Sequence, residues 1–115
     1  DCLDLVGSEE IVGKTLGTDL AKGKLTLPIL NLLESASESQ REMINRRIIE
    51  QKELDLPVLV GIAEYEGAIE RAVETALGLL SGCRDDLEVL HPSEYRDALS
   101  QITRFLESLL RKCRD

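Results

Sequence analysis

Two aspartates and two lysines near the start of the chain are of the types that bind metal and phosphate. Asp1 and Asp4 are spaced i, i+3, which on a helix places both carboxylates on one face, about 5–6 Å apart at Cβ. Lys14 and Lys24 follow, with Asp19 between them. Carboxylates are ligands for Mg²⁺, and lysines are compact charges suited to phosphate oxygens. The pattern therefore indicates a magnesium-dependent diphosphate site, although the same spacing is also common at a solvated helix end.

A glycine-rich loop is predicted to position these groups. Segment 7–24 contains four glycines, and glycine at this density opposes helix formation and lets the backbone approach a ligand closely. Residues 1–6, which precede the loop, are predicted to be the end of a helix. Lys22 also lies in the loop, and we expect it to be a solvated surface lysine.

The loop also contains a short run similar to the end of a nucleotide-binding P-loop, namely Gly13-Lys14-Thr15. That motif requires a glycine six residues before its lysine, and the residue there is Ser8. A β-strand should also precede the motif, and none is predicted. Nucleotide hydrolysis is therefore excluded on this motif.

The composition excludes several classes of protein. The chain has 115 residues, of which 43% are hydrophobic and 31% charged, with a net charge of -8. The apolar content is too high for a disordered tail, and the acidic balance argues against a general nucleic-acid binder. No apolar run approaches the 18 or so residues of a transmembrane helix. Aromatic residues make up only 3% of the chain, which predicts an aliphatic core.

The cysteines and the histidine predict neither a disulfide framework nor a zinc site. Cys2, Cys83 and Cys113 are odd in number and widely spaced, and His91 is the only histidine. We therefore expect reduced thiols in a cytoplasmic protein.

The remaining sequence predicts an all-α fold with helices of about 10 to 20 residues, since the apolar spacing follows a helical period. A first helix should begin after Thr26, with Pro28 in its first turn, and its leucines should be buried nearly all round. Ser37 and Gln40 form a capping box for a second helix that extends to about Gln51.

The second half of the chain should contain two longer helical segments. A helix starting near Pro57 is predicted to bend or break at Glu66-Gly67 and to stop at Gly82. Pro92 should open the last helix, which has the clearest apolar stripe. The stripe consists of Tyr95, Ala98, Leu99, Ile102, Phe105, Leu106, Leu109, Leu110 and Cys113.

A composite motif in the first 29 residues resembles the second aspartate-rich region of the trans-isoprenyl diphosphate synthases, or polyprenyl synthetases, of the bacterial medium- and long-chain type. The matching residues are Asp1-Cys2-Leu3-Asp4-Leu5-Val6-Gly7, Gly13-Lys14, Gly17-Thr18-Asp19-Leu20 and Gly23-Lys24-Leu25-Thr26-Leu27-Pro28-Ile29. The whole chain is similar to roughly the last third of such an enzyme. The family's motif has one more aspartate before Asp1, and its first aspartate-rich motif lies further upstream.

The resemblance implies a helical bundle of the isoprenoid synthase fold. It implies a prenyltransferase that condenses isopentenyl diphosphate with an allylic diphosphate, with Mg²⁺ as cofactor and a homodimer as the assembly. Asp1 and Asp4 would bind Mg²⁺, directly or through water, and Lys14 and Lys24 would contact the diphosphate. Asp19 would hold a lysine or a metal-bound water. Segment 1–24 would carry the motif and its loop, and 25–115 the helices of one domain.

A second interpretation belongs to a different class of protein. The apolar helix faces are also typical of a non-catalytic helical module that associates with a partner or with itself. If instead the chain is the last part of a synthase, we expect it to be inactive alone. The product length depends on upstream residues, and the sequence does not determine it.

Overall fold

The computed structural model describes residues 2–6, 19, 22–50, 56–61 and 64–114, with side chains at all of these except 56 and 57. Every regular element in this part of the chain is an α-helix, as the sequence predicts. The helices are α1 (Cys2–Val6), α2 (Leu27–Ser35), α3 (Glu38–Ile49), α4 (Leu56–Val60), α5 (Tyr65–Glu88) and α6 (Glu94–Arg111). Helix α5 is the central element, and α2 and α6 both pack against it.

The core lies where α1, α2, α3 and α4 meet the first half of α5. Its side chains are aliphatic, as the low aromatic content predicts. They include Leu5, Ile29, Leu32, Ile44, Leu59, Ala68, Ile69, Ala72 and Val73. Small residues on α5 let α2 approach closely, so that Asn31 Nδ2 donates to the Ala68 carbonyl at 3.2 Å. Arg71 of α5 also bonds Ser35 and the Asn31 carbonyl.

Helix α2 is buried on one face only, so the prediction of burial all round is wrong for the described structure. Ile29 and Leu32 are buried, whereas Leu27 and Leu30 are exposed. The reason is that its described packing partner is α5, which covers one side. Pro28 does lie in the first turn and Thr26 is the N-cap residue, although the Thr26 side chain makes no capping hydrogen bond.

The capping box of α3 is confirmed. The Gln40 N–H donates to Ser37 Oγ at 3.3 Å, and the Ser37 N–H donates to Gln40 Oε1 at 3.0 Å. These bonds satisfy two of the N–H groups that every helix start leaves without a backbone partner. The helix ends at Ile49, two residues before the predicted end.

The predicted helix near Pro57 is confirmed as α4, and a break separates it from α5, although α5 starts at Tyr65, so Gly67 lies inside its first turn rather than at the break. The predicted stop at Gly82 is wrong, because α5 runs through Gly82 to Glu88. A single glycine in a helix costs only about 1 kcal/mol, which the helix formers on either side and packing against α6 offset.

Helix α6 begins at Glu94 rather than at Pro92, because Ser93 is its N-cap and accepts the Arg96 N–H at 3.2 Å. Glu107 joins α6 to α5 through Arg84 Nη1 at 2.6 Å and also accepts a 2.6 Å bond from Arg111. Much of the apolar stripe faces outward, with Tyr95 74% and Phe105 61% exposed. Thr103 is the buried residue of α6, and Leu110 packs against the core.

Candidate diphosphate-binding site

Asp4 is a buried carboxylate on α1 that bonds Asp19, a residue that is helical in the structure although the glycines of segment 7–24 predicted a loop. The Asp4 side chain is only 1% exposed, and its Oδ2 accepts the backbone N–H of Asp19 at 3.2 Å. A carboxylate is rarely buried unless its oxygens are bonded, because burial removes its hydration. The bond therefore connects Asp4 of α1 to the glycine-rich segment across 15 residues of sequence.

Asp19 in turn pairs with Lys24. Lys24 Nζ lies 2.9 Å from Asp19 Oδ1, and the Lys24 N–H donates to the Asp19 carbonyl at 2.9 Å. Gly23 lies between them with φ of 68°, a left-handed backbone conformation that residues other than glycine rarely adopt. The turn thus holds the ammonium group against the carboxylate through both backbone and side chain.

The Lys24 side chain remains 59% exposed, so its ammonium group faces solvent on the side away from Asp19. An ammonium group has three donors, and the ion pair uses one of them. A phosphate oxygen approaching from solvent can therefore accept from Lys24 while Asp19 holds its position. Lys22 is exposed as well, as predicted for a solvated lysine.

The other two predicted site residues, Asp1 and Lys14, lie outside the described residues. The structure thus brings together Asp4, Asp19 and Lys24 of the predicted set. Within the described ranges, no group of three or more His, Cys, Asp or Glu side chains is arranged to hold a metal ion. The described donor is the carboxylate of Asp4, and one or two carboxylates are the usual protein contribution to a Mg²⁺ site.

Helix α1 is anchored by Tyr65, a residue that the sequence did not single out. Tyr65 Oη donates to the Leu5 carbonyl at 3.3 Å, which ties the end of α1 to the start of α5. Burial raises the pKa of the Tyr65 hydroxyl above its ordinary 10, so the hydroxyl remains a donor even at mildly alkaline pH. The one feature of the sequence that could have indicated this role is the scarcity of aromatic residues, of which Tyr65 is one.

An apolar groove of about 390 Å³ lies beside α1, between α5 and α6. Leu3, Leu79 and Leu106 are among its lining residues, and all three cysteines border it. Burial raises the pKa of the Cys2 thiol, and it raises that of Cys113 to about 11, with a smaller contribution from Cys2. Both thiols are therefore neutral at physiological pH.

Comparison with known proteins identifies the class to which this all-helical fold and aspartate–lysine site belong. The polyprenyl synthetase family model matches residues 1–60. A short chain isoprenyl diphosphate synthase of Methanothermobacter thermautotrophicus is 39% identical over 92% of this chain and 33% of its own length. An octaprenyl diphosphate synthase of Haemophilus influenzae is 36% identical over 86% of this chain and 30% of its own.

The chain belongs to the polyprenyl synthetase family. A third relative, the all-trans-nonaprenyl-diphosphate synthase (geranyl-diphosphate specific) of Rhodobacter capsulatus, is 32% identical over 90% of the chain and 32% of its own length. The chain thus spans about a third of the length of the curated relatives it matches. No solved structure gives a significant match. In the described part of the chain, no helix has the length and apolar character needed to cross a membrane.

Proposed function

We propose that the chain is the C-terminal part of a single polyprenyl synthetase domain whose full-length protein is a trans-prenyltransferase. That protein condenses isopentenyl diphosphate with an allylic diphosphate to give a polyprenyl diphosphate. Segment 1–24 contributes the second aspartate-rich motif and its Gly/Lys loop, and segment 25–115 contributes helices. The observation that carries the proposal is the connected set Asp4–Asp19–Lys24, in a chain that belongs to this family.

In this proposal each residue of the site has a separate task. Lys24 contacts the diphosphate through its solvent-facing side, and Asp19 fixes the lysine by ion pair and backbone bond. Asp4 holds the Asp19 backbone and, together with Asp1, provides carboxylate oxygens to Mg²⁺, directly or through water. Lys14 is proposed as the second cation on the diphosphate.

When bound, Mg²⁺ supplies positive charge that stabilises the negative charge developing on the departing diphosphate. The lysines add to that stabilisation because they are held in place before the reaction begins. The partly buried hydrogen bond from Asp19 to Asp4 keeps this segment from reorganising, which would otherwise cost free energy at each turnover. The chain alone is expected to be inactive because it supplies one side of the site.

The test is prenyl transfer by the full-length protein, with isopentenyl diphosphate and an allylic diphosphate. We expect polyprenyl diphosphate to form with Mg²⁺ and to stop on chelation. The 115-residue chain alone should form none. Turnover that persists in a chelator, or no turnover with any of several allylic diphosphates, would refute the proposal.

A second candidate, a non-catalytic helical interaction module, is favoured by the exposed stripe of α6. Leu99, Ile102, Phe105 and Leu106 are all exposed on that helix.

We infer that this surface is covered in the assembled protein, and that the full-length protein is a cytoplasmic homodimer. Sedimentation of the full-length protein tests the assembly. If the full-length protein is a monomer, the homodimer is excluded. If it also binds neither Mg²⁺ nor diphosphate, the synthase proposal is excluded as well.

A further inference from the structure

Helix α1, which carries Asp4, is too short to hold its own conformation. It has five residues, Cys2–Val6, and helices shorter than about 12 residues are marginal in water unless they pack against something else. In the described part of the chain, α1 contacts α5 and α6. The position of the Asp4 carboxylate therefore depends on the contacts that these helices make with α1.

The second half of α1 is held by core packing and by a buried hydrogen bond. The Leu5 side chain is buried in the core, and the Leu5 carbonyl accepts the hydroxyl proton of Tyr65 at 3.3 Å. The last four carbonyls of an α-helix have no partner within the helix. The Tyr65 hydroxyl thus supplies a donor that α1 itself cannot supply.

Tyr65 is well placed to fix this end of α1, because its own position is fixed. It is the first residue of the 24-residue helix α5 and is only 7% exposed, so its ring has little room to move. Leu5 directly follows Asp4 in the chain, so a shift of the Leu5 carbonyl also moves Asp4. The geometry thus links the Tyr65 hydroxyl, through α1, to the bond between Asp4 and Asp19.

We propose that Tyr65 is a positioning residue for Asp4. Its hydroxyl holds the last turn of α1 so that the Asp4 carboxylate reaches both the Asp19 N–H and the Mg²⁺ of the site. Without the hydroxyl, the Leu5 carbonyl would be buried without a donor, and α1 would shift to recover one. The part of this inference that concerns Mg²⁺ rests on the proposed function, whereas the part that concerns the Asp19 N–H does not.

The first test is hydrogen exchange in full-length Tyr65→Phe, which keeps the ring and removes only the hydroxyl. The Asp19 amide reports on Asp4 directly, because Asp4 Oδ2 is its acceptor. We expect this amide to exchange about two- to tenfold faster than in the parent, the usual value of one intramolecular hydrogen bond. Tyr95→Phe is the matched control and should change nothing, because Tyr95 is 74% exposed on α6.

The amide of Ile44, in the middle of α3, shows whether the whole fold has loosened. Its exchange rate should be the same in Tyr65→Phe and in the parent. The proposal is overturned if the Asp19 amide keeps its parental rate in Tyr65→Phe. It is also overturned if the Ile44 amide accelerates as much as the Asp19 amide, because the hydroxyl would then stabilise the fold in general.

The second test is titration of the same full-length proteins with inorganic diphosphate, with Mg²⁺ and with a chelator. Tyr65→Phe should reduce the gain in affinity that Mg²⁺ gives the parent by about two- to tenfold, and should reduce it no further in an Asp4→Asn background. An equal reduction in both backgrounds, or none in either, would show that Tyr65 does not act through Asp4. If the parent gains nothing from Mg²⁺, the proposed function fails, and the Asp19 exchange rate alone decides the role of Tyr65.

Discussion

The backbone N–H of Asp19 donates to Oδ2 of Asp4 at 3.2 Å, which joins a buried helix carboxylate to the loop that carries Lys24. Because Asp19 also holds the Lys24 ammonium group at 2.9 Å, the three residues form one connected unit. A substitution of Asp4 should therefore change the position of the Lys24 ammonium group.

Replacing Lys24 with methionine should weaken diphosphate binding in the full-length protein by roughly tenfold or more, the usual value of a hydrogen bond to a charged group. Lys22→Met is the matched control, because Lys22 is an exposed lysine two residues away. Isothermal titration calorimetry with inorganic diphosphate, in the presence of Mg²⁺, measures the affinity of each variant. Equal affinities in the two variants would contradict the role proposed for Lys24.

Replacing Ile44 with alanine should destabilise the protein by about 2–5 kcal/mol, because a fully buried side chain is lost and leaves a cavity. Ile49→Ala is the control on the same helix, since Ile49 is 80% exposed. Its free energy of unfolding should stay within about 0.5 kcal/mol of the parent. Denaturant unfolding followed by circular dichroism measures the difference. Similar values for the two variants would be inconsistent with the burial of Ile44.

The sequence predicted the local parts of this structure well. The all-α class, the capping box at Ser37 and the start of α2 all follow from residues only a few positions apart. The break before α5 was predicted a few residues too late, at Glu66-Gly67, and the end of α5 was mispredicted at Gly82, because both glycines lie inside the helix. Their intrinsic cost is small, and α6 packs against this helix.

Long-range contacts could not be predicted from the sequence. The spacing of Asp1 and Asp4 indicated a metal site, but nothing in it indicated that Asp4 would bond the Asp19 backbone. Likewise, the bond from Tyr65 to Leu5 joins residues 60 positions apart. The exposure of the α6 stripe has a similar cause, because periodicity identifies an apolar face without identifying what covers it.

Because Glu107 pairs with two arginines, the stability of the fold should vary with pH in the acidic range. Hydrogen bonds from Arg111 and then Arg84 lower the pKa of Glu107 below its ordinary 4.5. The carboxylate therefore stabilises the fold above the ordinary pKa, and this contribution is lost as pH falls through the lowered value. Glu107→Gln should lower the unfolding midpoint slightly at pH 7 and not at strongly acidic pH.

The control for Glu107 is Glu74→Gln. Glu74 is more exposed, and Arg114 lies 3.4 Å from it, so its pair should contribute less. Thermal unfolding from neutral to acidic pH compares the two. A larger pH-dependent loss for Glu74→Gln would show that the Arg84–Glu107–Arg111 group does not stabilise the α5–α6 contact.

The buried thiols should make the fold less stable at alkaline pH. The pKa of Cys113 is raised from 9.0 to about 11, so its stabilising contribution is complete below pH 9 and is lost as pH rises towards 11. Cys113→Ala should flatten that part of the profile, while the raised pKa values of Cys2 and Tyr65 leave a residual slope. Thermal unfolding between pH 8 and 11 measures it, and an unchanged slope in Cys113→Ala would contradict the prediction.

The central claim is that Asp4 supports a magnesium-dependent diphosphate site. Titration of the full-length protein with an allylic diphosphate, with Mg²⁺ and with a chelator, tests it most directly when Asp4→Asn is measured beside the parent. The variant keeps the shape of the side chain and an oxygen that can accept the Asp19 N–H, but it lacks the charge. We expect Mg²⁺ to increase the affinity of the parent and Asp4→Asn to lose most of that increase. Equal affinity with and without Mg²⁺, unchanged by Asp4→Asn, would contradict the account.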